Sequence, residues 1–408
     1  MVRTFQRKPS DTRLVHFKNM VFWLALIVFV LAVTEGLSFS FNLLVGKQYY
    51  APQPTLKEFI ADLEKQYTSD HFDRALGWVP PPKDIDSNGA RISPDAAVLG
   101  PPCLSLYGDS FTFGDEVDHA AAWGNQLAKS LHCKVLNFGV SAYGTDQAYL
   151  RFMKNTSDAS RVVLLGVLSE NIVRNVNQNR AFIYGNEGLS VGPLKPVYFL
   201  DDSGQLQLVP VPRLTADSYN DYIEHPGRLF TKEFFIPNSS DYAKPRVSFP
   251  YVIGVIRALR YKRISDSILY LAIKNPPWFA DFYNPRHLSR ALEVTQSIID
   301  HFVRTAQARS KTPVVIFLPT SRDIGNFLNS GNWTYANLYD RCLSSGYFCL
   351  NAGAAMVSAL RQEQFNSSQI CDYFCTNSIT QSGHYNERGN LLLANVTLQY
   401  LQAHSLIK

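Results

Sequence analysis

Two runs that are apolar at nearly every position constrain this chain most: Arg161-Val-Val-Leu-Leu-Gly-Val-Leu168 and Pro313-Val-Val-Ile-Phe-Leu318. A strand with one solvated face alternates apolar and polar residues, whereas a run that is apolar at nearly every position must be covered on both faces. Such strands belong to parallel sheets, whose neighbours are joined by crossovers, usually helices. The flanking pattern supplies both element types. Cys103-Leu-Ser-Leu-Tyr107, Lys134-Val-Leu-Asn-Phe138 and Tyr347-Phe-Cys-Leu350 read as strands. Trp123 to Leu131, Thr145 to Lys154, about Arg286 to Ala308 and Glu387 to Ala403 read as helices, the last with Asn386 placed to cap it. The fold class expected is α/β, a three-layer parallel sheet with helices on both faces.

The amino terminus has a different character. Arg3, Arg7, Lys8, Arg13 and Lys18 face only Asp11 and precede an uncharged run from Asn19 to Thr34, then Glu35 and a second uncharged run from Gly36 to Gly46. About 20 such residues cross a bilayer, and the basic flank stays cytoplasmic, so the bulk of the chain is expected outside the membrane. A cleavable signal peptide is the alternative. It is disfavoured by the length of the run and by the lack of a small-x-small site after Val33. The net charge of +5 arises mostly in this tail, which argues against a nucleic-acid surface.

The expected organisation is a basic tail over 1–18, an anchor over 19–45, a stalk and lead-in over 46–95 with a short helical pattern at Leu56 to Tyr67, and an α/β domain over 96–408. An aromatic, loop-rich insertion at about 176–285 interrupts the alternation and is expected over one edge of the sheet. Six cysteines include no C-x-x-C pair, which disfavours a zinc site. In an oxidising compartment the sequence-close pairs 103/133, 342/349 and 371/375 are the natural disulfides.

In an open parallel sheet, ligands bind beyond the carboxyl ends of the strands. Three loops stand there: Gly108-Asp-Ser-Phe-Thr-Phe-Gly114, Asn137-Phe-Gly-Val-Ser-Ala-Tyr-Gly-Thr-Asp-Gln147 and Ser169-Glu-Asn-Ile-Val-Arg-Asn175. A serine presented after a strand can act as a nucleophile if a base is near, and His384 in Ser382-Gly-His-Tyr-Asn-Glu-Arg-Gly389 is the best candidate. Acyl transfer further needs donors for an oxyanion, which the backbone N–H groups of Ser110 and Gly139 and the Asn171 amide can provide. Tyr143, Gly144, Thr145, Asp146 and Gln147 are expected at the rim, Asp109 in a structural role, and Arg174 closing a loop or touching substrate. Arg257-Ala-Leu-Arg-Tyr-Lys-Arg263 reads as a solvated helix face.

Taken together these blocks resemble the SGNH (GDSL-type) hydrolase superfamily. Gly108-Asp-Ser110 resembles its first block, Gly139 its second, Asn171 its third and His384 its last, over roughly Ala97 to the C-terminus. The resemblance implies Ser110 and His384 as catalytic residues and Ser110, Gly139 and Asn171 as the oxyanion hole. Two positions depart from the pattern. Ser169-Glu-Asn-Ile172 lacks the family's flanking glycine and aspartate, and Gln381 stands where the acid three residues before the histidine is usual. An amide accepts the imidazole N–H but cannot stabilise an imidazolium as a carboxylate does, so the imidazole is expected to be oriented by Gln381 or by an acid such as Asp372.

The first functional expectation is an anchored, extracytoplasmic serine esterase that removes O-acyl groups, acetyl foremost, from a carbohydrate and needs no metal or cofactor. The second is an O-acetyltransferase for an exported polysaccharide, supplied with acyl groups by a multi-pass membrane partner. The third is a non-catalytic carbohydrate-binding relative, suggested by Gln381.

Overall fold

A computed structural model describes residues 10–45, 50–184, 191–273, 276–361, 365–378 and 382–407. The chain opens with one long helix, α1 (Ser10–Val45). The lead-in holds α2 (Leu56–Tyr67) and a small hairpin of β1 (Phe72–Asp73) and β2 (Gly77–Trp78). The α/β domain then runs β3 (Gly100–Tyr107), α3 (Ser110–Phe113), α4 (Trp123–Leu131), β4 (Cys133–Asn137), α5 (Thr145–Lys154), β5 (Val162–Leu168) and α6 (Asn171–Arg174). The insertion contributes the hairpin β6 (Val197–Leu200) and β7 (Leu206–Val209), and helices α7 (Tyr219–Glu224), α8 (Pro226–Leu229), α9 (Tyr251–Arg260) and α10 (Lys262–Ile273). The domain closes with α11 (Ala291–Ala308), β8 (Thr312–Leu318), α12 (Ser321–Ser330), α13 (Ala336–Ser344), β9 (Phe348–Asn351), α14 (Ala352–Arg361) and α15 (Glu387–Ala403).

Five strands form one parallel sheet in the order β4-β3-β5-β8-β9. The apolar runs are its centre, with β5 and β8 paired from Val162↔Thr312 to Leu168↔Leu318. Period-2 alternation divides their side chains between two cores. Val163, Leu165, Val167, Val315 and Phe317 pack with α5, α11 and the insertion. Leu104, Leu106, Leu164, Val314 and Ile316 pack with α4, α14 and α15. The chain order reverses at β3, which has β4 on one side and β5 on the other. In such sheets this reversal opens a crevice at the carboxyl ends of the strands.

Two expectations about organisation change. The segment read as a stalk is packed from α2 onward: Thr55 forms a capping box with Glu58, and Phe59 and Leu63 are buried in the same core as the insertion. The insertion covers one face of the domain rather than an edge, with Phe182, Leu194, Tyr222, Phe230 and Phe235 buried in the core that also holds Leu165 and Phe317 of the two central strands. The periodic stretch Tyr251 to Ala272 is two helices, broken at Tyr261, whose ring is buried and whose backbone leaves the helical region. The three sequence-close cysteine pairs are disulfides, with Cα separations of 6.0, 6.3 and 4.6 Å for 103/133, 342/349 and 371/375.

Candidate active site

Ser110 begins α3 immediately after β3. Asp109 caps this short turn, its Oδ1 accepting the N–H groups of Phe111 at 3.0 Å and Thr112 at 3.4 Å. The carbonyls at the other end are equally engaged. Trp123 Nε1 donates to Phe111 and Thr112, Asn137 Nδ2 to Thr112 at 2.8 Å, and Arg91 Nη1 to Phe113 and Gly114 at 3.1 Å each. The turn is also wedged against the sheet. A Cβ on Gly108 would lie 2.0 Å, and one on Gly166 2.1 Å, from Thr112 Oγ1, so two neighbouring strands leave room for the Thr112 side chain. Gly166, the one interruption in an apolar strand, is thereby explained.

Gly139 lies against the same turn, where an added Cβ would stand 2.5 Å from the Phe113 nitrogen. Its N–H, expected as an oxyanion donor, is already given to Asn137 Oδ1 at 3.0 Å. Asn171 begins α6 at the end of β5 and is fully buried. Among the described residues neither its Oδ1 nor its Nδ2 has a hydrogen-bond partner. A buried amide without partners costs about 1–3 kcal/mol per unmet group, a cost that a bound ligand supplying the missing bonds would remove.

His384 is separated from Ser110 by most of the domain's sequence, and Trp123 links their supports. Its backbone N–H donates to Asn390 Oδ1 in α15 at 3.1 Å, while its indole holds the α3 carbonyls. Asn390 in turn holds the Tyr385 carbonyl at 2.8 Å. The His384 ring packs on Phe111, the residue after Ser110, with centroids 4.8 Å apart. The Nδ1 of His384 makes no hydrogen bond among the described residues. In unliganded sites catalytic hydrogen bonds are often long and tighten with substrate.

The carboxylate facing His384 is Glu116, from the loop after the serine turn. Its Oε1 lies 3.1 Å from His384 Nδ1, within ion-pair distance but outside hydrogen-bond alignment. Its Oε2 accepts the Thr376 hydroxyl and the His384 backbone N–H, the latter at 3.2 Å. Burial opposes ionisation of Glu116, but Thr376, the His384 N–H and the nearby imidazole outweigh it and hold its carboxyl below the ordinary range. Asp372 makes no ion pair with His384 among the described residues, and Gln381 lies outside them. Glu116 escapes a reading that seeks the acid just before the histidine, because it follows the serine block directly in Gly114-Asp-Glu116.

The residues expected at the rim are buried scaffold. Asp146 pairs with Lys195, both enclosed, Gln147 Nε2 donates to the Leu76 carbonyl at 2.7 Å, and Tyr143 donates its hydroxyl to the Trp78 carbonyl. Gly144 and Thr145 are enclosed with them. Arg174 closes the third loop onto the second and first: Nη1 donates to the Tyr143 carbonyl at 3.0 Å and lies 3.7 Å from Asp109 Oδ2. Burial pushes the Asp109 carboxyl up, against the pull of Arg174 and two backbone N–H groups. The run read as a solvated helix face is partly buried, with Arg263 Nη1 donating to the Ile183 carbonyl at 2.7 Å. Beside the turn opens a cleft of about 460 Å³, lined by Trp78, Phe113, Asp115, Val140, Ser141 and Arg180 among others; Ser110 and His384 do not line it.

No family model matches the chain, and no curated protein matches it. Among solved structures it is similar to a protein described as lipolytic, of the G-D-S-L family, from Desulfitobacterium hafniense DCB-2, at 11% identity and TM-score 0.34, over 73% of this chain and 98% of that one. It is also similar to a member of the lipolytic protein G-D-S-L family from Veillonella parvula DSM 2008, at 10% identity and TM-score 0.34, over 74% of this chain and 97% of that one. At this identity and TM-score neither likeness assigns a residue or a substrate.

Proposed function

We propose that the chain is a membrane-anchored, extracytoplasmic serine esterase of SGNH type that removes O-acyl groups from a carbohydrate. The observation that carries this reading is the contact of His384 with both the Glu116 carboxylate and the ring of Phe111, the residue that follows Ser110 in the chain. In the reaction, the imidazole takes the Ser110 proton as Oγ attacks the ester carbonyl. Glu116 stabilises the imidazolium so formed, a task that Gln381 could not perform. The oxyanion is met by the Ser110 N–H and the unpartnered Asn171 amide, and by Gly139 if its N–H leaves Asn137. The imidazolium then protonates the departing sugar oxygen. Water, activated by the same imidazole, releases the acyl group from Ser110.

Helix α1 and the disulfides support this compartment. Val15–Leu43 is long and apolar enough to cross a bilayer, its most apolar window is wholly exposed, and three disulfides suit an oxidising environment. Transfer of the acyl group to a sugar hydroxyl instead of water uses the same intermediate and differs only in the acceptor. The test is labelling of the full chain by a fluorophosphonate, followed by product analysis with an acylated saccharide and a free saccharide acceptor. Labelling that vanishes in Ser110→Ala and a free carboxylic acid as product are expected. An acylated acceptor would make the protein a transferase, and folded protein that never labels at Ser110 would overturn the catalytic reading.

A further inference from the structure

Helix α1 changes character along its length. From Phe17 to Thr34 its side chains are exposed on every side; from Glu35 onward one polar stripe, Glu35, Ser38 and Asn42, turns towards the domain. These three positions, three and four residues apart, share one helix face. What they meet is the start of α9. Glu35 accepts the backbone N–H groups of Tyr251 at 2.6 Å and Val252 at 3.4 Å, while Phe39 packs on Tyr251 with centroids 5.0 Å apart. The Asn42 amide nitrogen lies 3.6 Å from where a Cβ on Gly254 would be, and Asn42 accepts the Tyr50 hydroxyl.

The contact resolves two electrostatic difficulties at once. Glu35 is the sole charge in an otherwise uncharged run of membrane length, and α9 starts after Pro250 with no side-chain cap of its own. A carboxylate on a helix N-terminus satisfies orphan N–H groups and the positive end of the macrodipole together. Each group thereby meets part of the other's need for a partner, which lowers the cost of placing the joint near a bilayer boundary.

The outward side of α9 is apolar. Phe249 is 74% exposed, Ile253 42%, Ile256 54% and Leu259 57%. The opposite side, with Gly254 and Ala258, is buried against the protein. Arg257 and Arg260 stand exposed beside the apolar residues towards the helix's far end, Arg260 lying 3.5 Å from Asp241. The end of α1 that meets α9 is itself exposed and apolar, with Leu37 and Leu43 each 67% exposed. An apolar face flanked by arginines is the pattern of a helix seated at the headgroup boundary, with its cations among anionic lipid phosphates.

We propose that α9 with Phe249 is a second membrane contact, seated in the outer-leaflet interface beside the point where α1 leaves the hydrocarbon. Its occupant is a bilayer surface bearing anionic headgroups. The insertion, which shares a core with the catalytic sheet, would thus fix the orientation of the domain on the membrane, where a flexible stalk would let it tumble. This inference rests on the reading of α1 as a membrane span.

The test uses the full chain reconstituted into phosphatidylcholine vesicles containing about one part in four of phosphatidylglycerol. A phospholipid carrying a diazirine in its acyl chain is activated by light, and adducts are mapped by mass spectrometry. Adducts on α1 between residues 20 and 34 and on residues 249–260 are expected. Adducts on α1 with none on 249–260 would overturn the second contact while leaving the anchor intact; none on α1 would overturn the anchor reading itself. The variant Ile253→Glu/Ile256→Glu should lose the adducts on 249–260 and keep those on α1. Persistence of the α9 adducts in that variant, with an unchanged melting midpoint, would assign them to something other than this face.

Discussion

The turn that carries Ser110 and the loop that carries His384 are built differently. The serine turn is enclosed: Asp109 caps it, the side chains of Arg91, Trp123 and Asn137 hold its carbonyls, and Thr112 is wedged between Gly108 and Gly166. The His384 side chain meets Glu116, whose side chain is 45% exposed, and the Phe111 ring, while the next residue, Tyr385, is anchored by Asn390 on its carbonyl and by its own hydroxyl on the Pro319 carbonyl. Packing in a dense interior tolerates little change of volume, whereas a half-exposed polar contact is adjustable and responds to pH. The serine turn should therefore be sensitive to shape and the surroundings of His384 sensitive to charge.

The largest expected effect tests whether Ser110 and His384 serve one reaction. Ser110→Ala and His384→Ala should each lower turnover by roughly 10⁴-fold or more, and the double variant by scarcely more than either alone. Additive losses would separate the two residues. Glu116→Gln, which keeps an acceptor for Thr376 but removes the charge, should lower kcat/KM by roughly 10²–10⁴-fold, whereas Asp372→Asn should leave it unchanged. A large loss in Asp372→Asn alone would return the acid to the C-terminal block.

Asn171→Ala should lower kcat by roughly 10²–10³-fold without lowering the melting midpoint, because its buried amide has no partner to lose among the described residues. A fall in stability with unchanged kcat would make it a structural residue. The serine side is sharpened by volume. Gly166→Ala should destabilise the fold by about 1–3 kcal/mol, and Thr112→Ala, which removes the hydroxyl closest to that Cβ, should recover most of the loss in the double variant.

The smallest effect belongs to pH. The Glu116 carboxyl is held below its ordinary range, so its contribution to stability is present above the unfolded value of about 4.3 and is lost as the pH falls from there through the lower folded value. The gap in melting midpoint between the parent and Glu116→Gln should be constant near neutral pH and shrink only in that acid window. A gap that instead widens on acidification would show that Glu116 is not held by its present contacts.

Much of the architecture is legible in the sequence because it rests on local or periodic signals. Helices Leu56–Tyr67, Trp123–Leu131, Thr145–Lys154 and Glu387–Ala403 have the boundaries that apolar spacing and capping residues indicate, and the sheet follows from strands apolar on both faces. The helices α12, α13 and α14 and the β6-β7 hairpin go unread, although α12 is as long as α5 and opens with a Thr320–Asp323 capping box that marks a helix start in the sequence. Asp146 and Gln147 resemble rim residues because polar side chains after a strand usually meet solvent. Lys195 and the Leu76 carbonyl, distant in sequence, bury them instead.

Residue types and their order along the chain determined the sheet, the disulfide pairs, the apolar span and the serine, glycine, asparagine and histidine worth testing. These depend on covalent neighbours and on the periodicity of burial, which a linear chain records directly. Tertiary structure decided which carboxylate faces the imidazole, that the Asn171 amide is left unpaired, that the Gly139 N–H is engaged, and that Glu35 caps a helix more than two hundred residues away. Each of those is set by the approach of groups remote in sequence, and electrostatic energy depends on distance and burial in three dimensions.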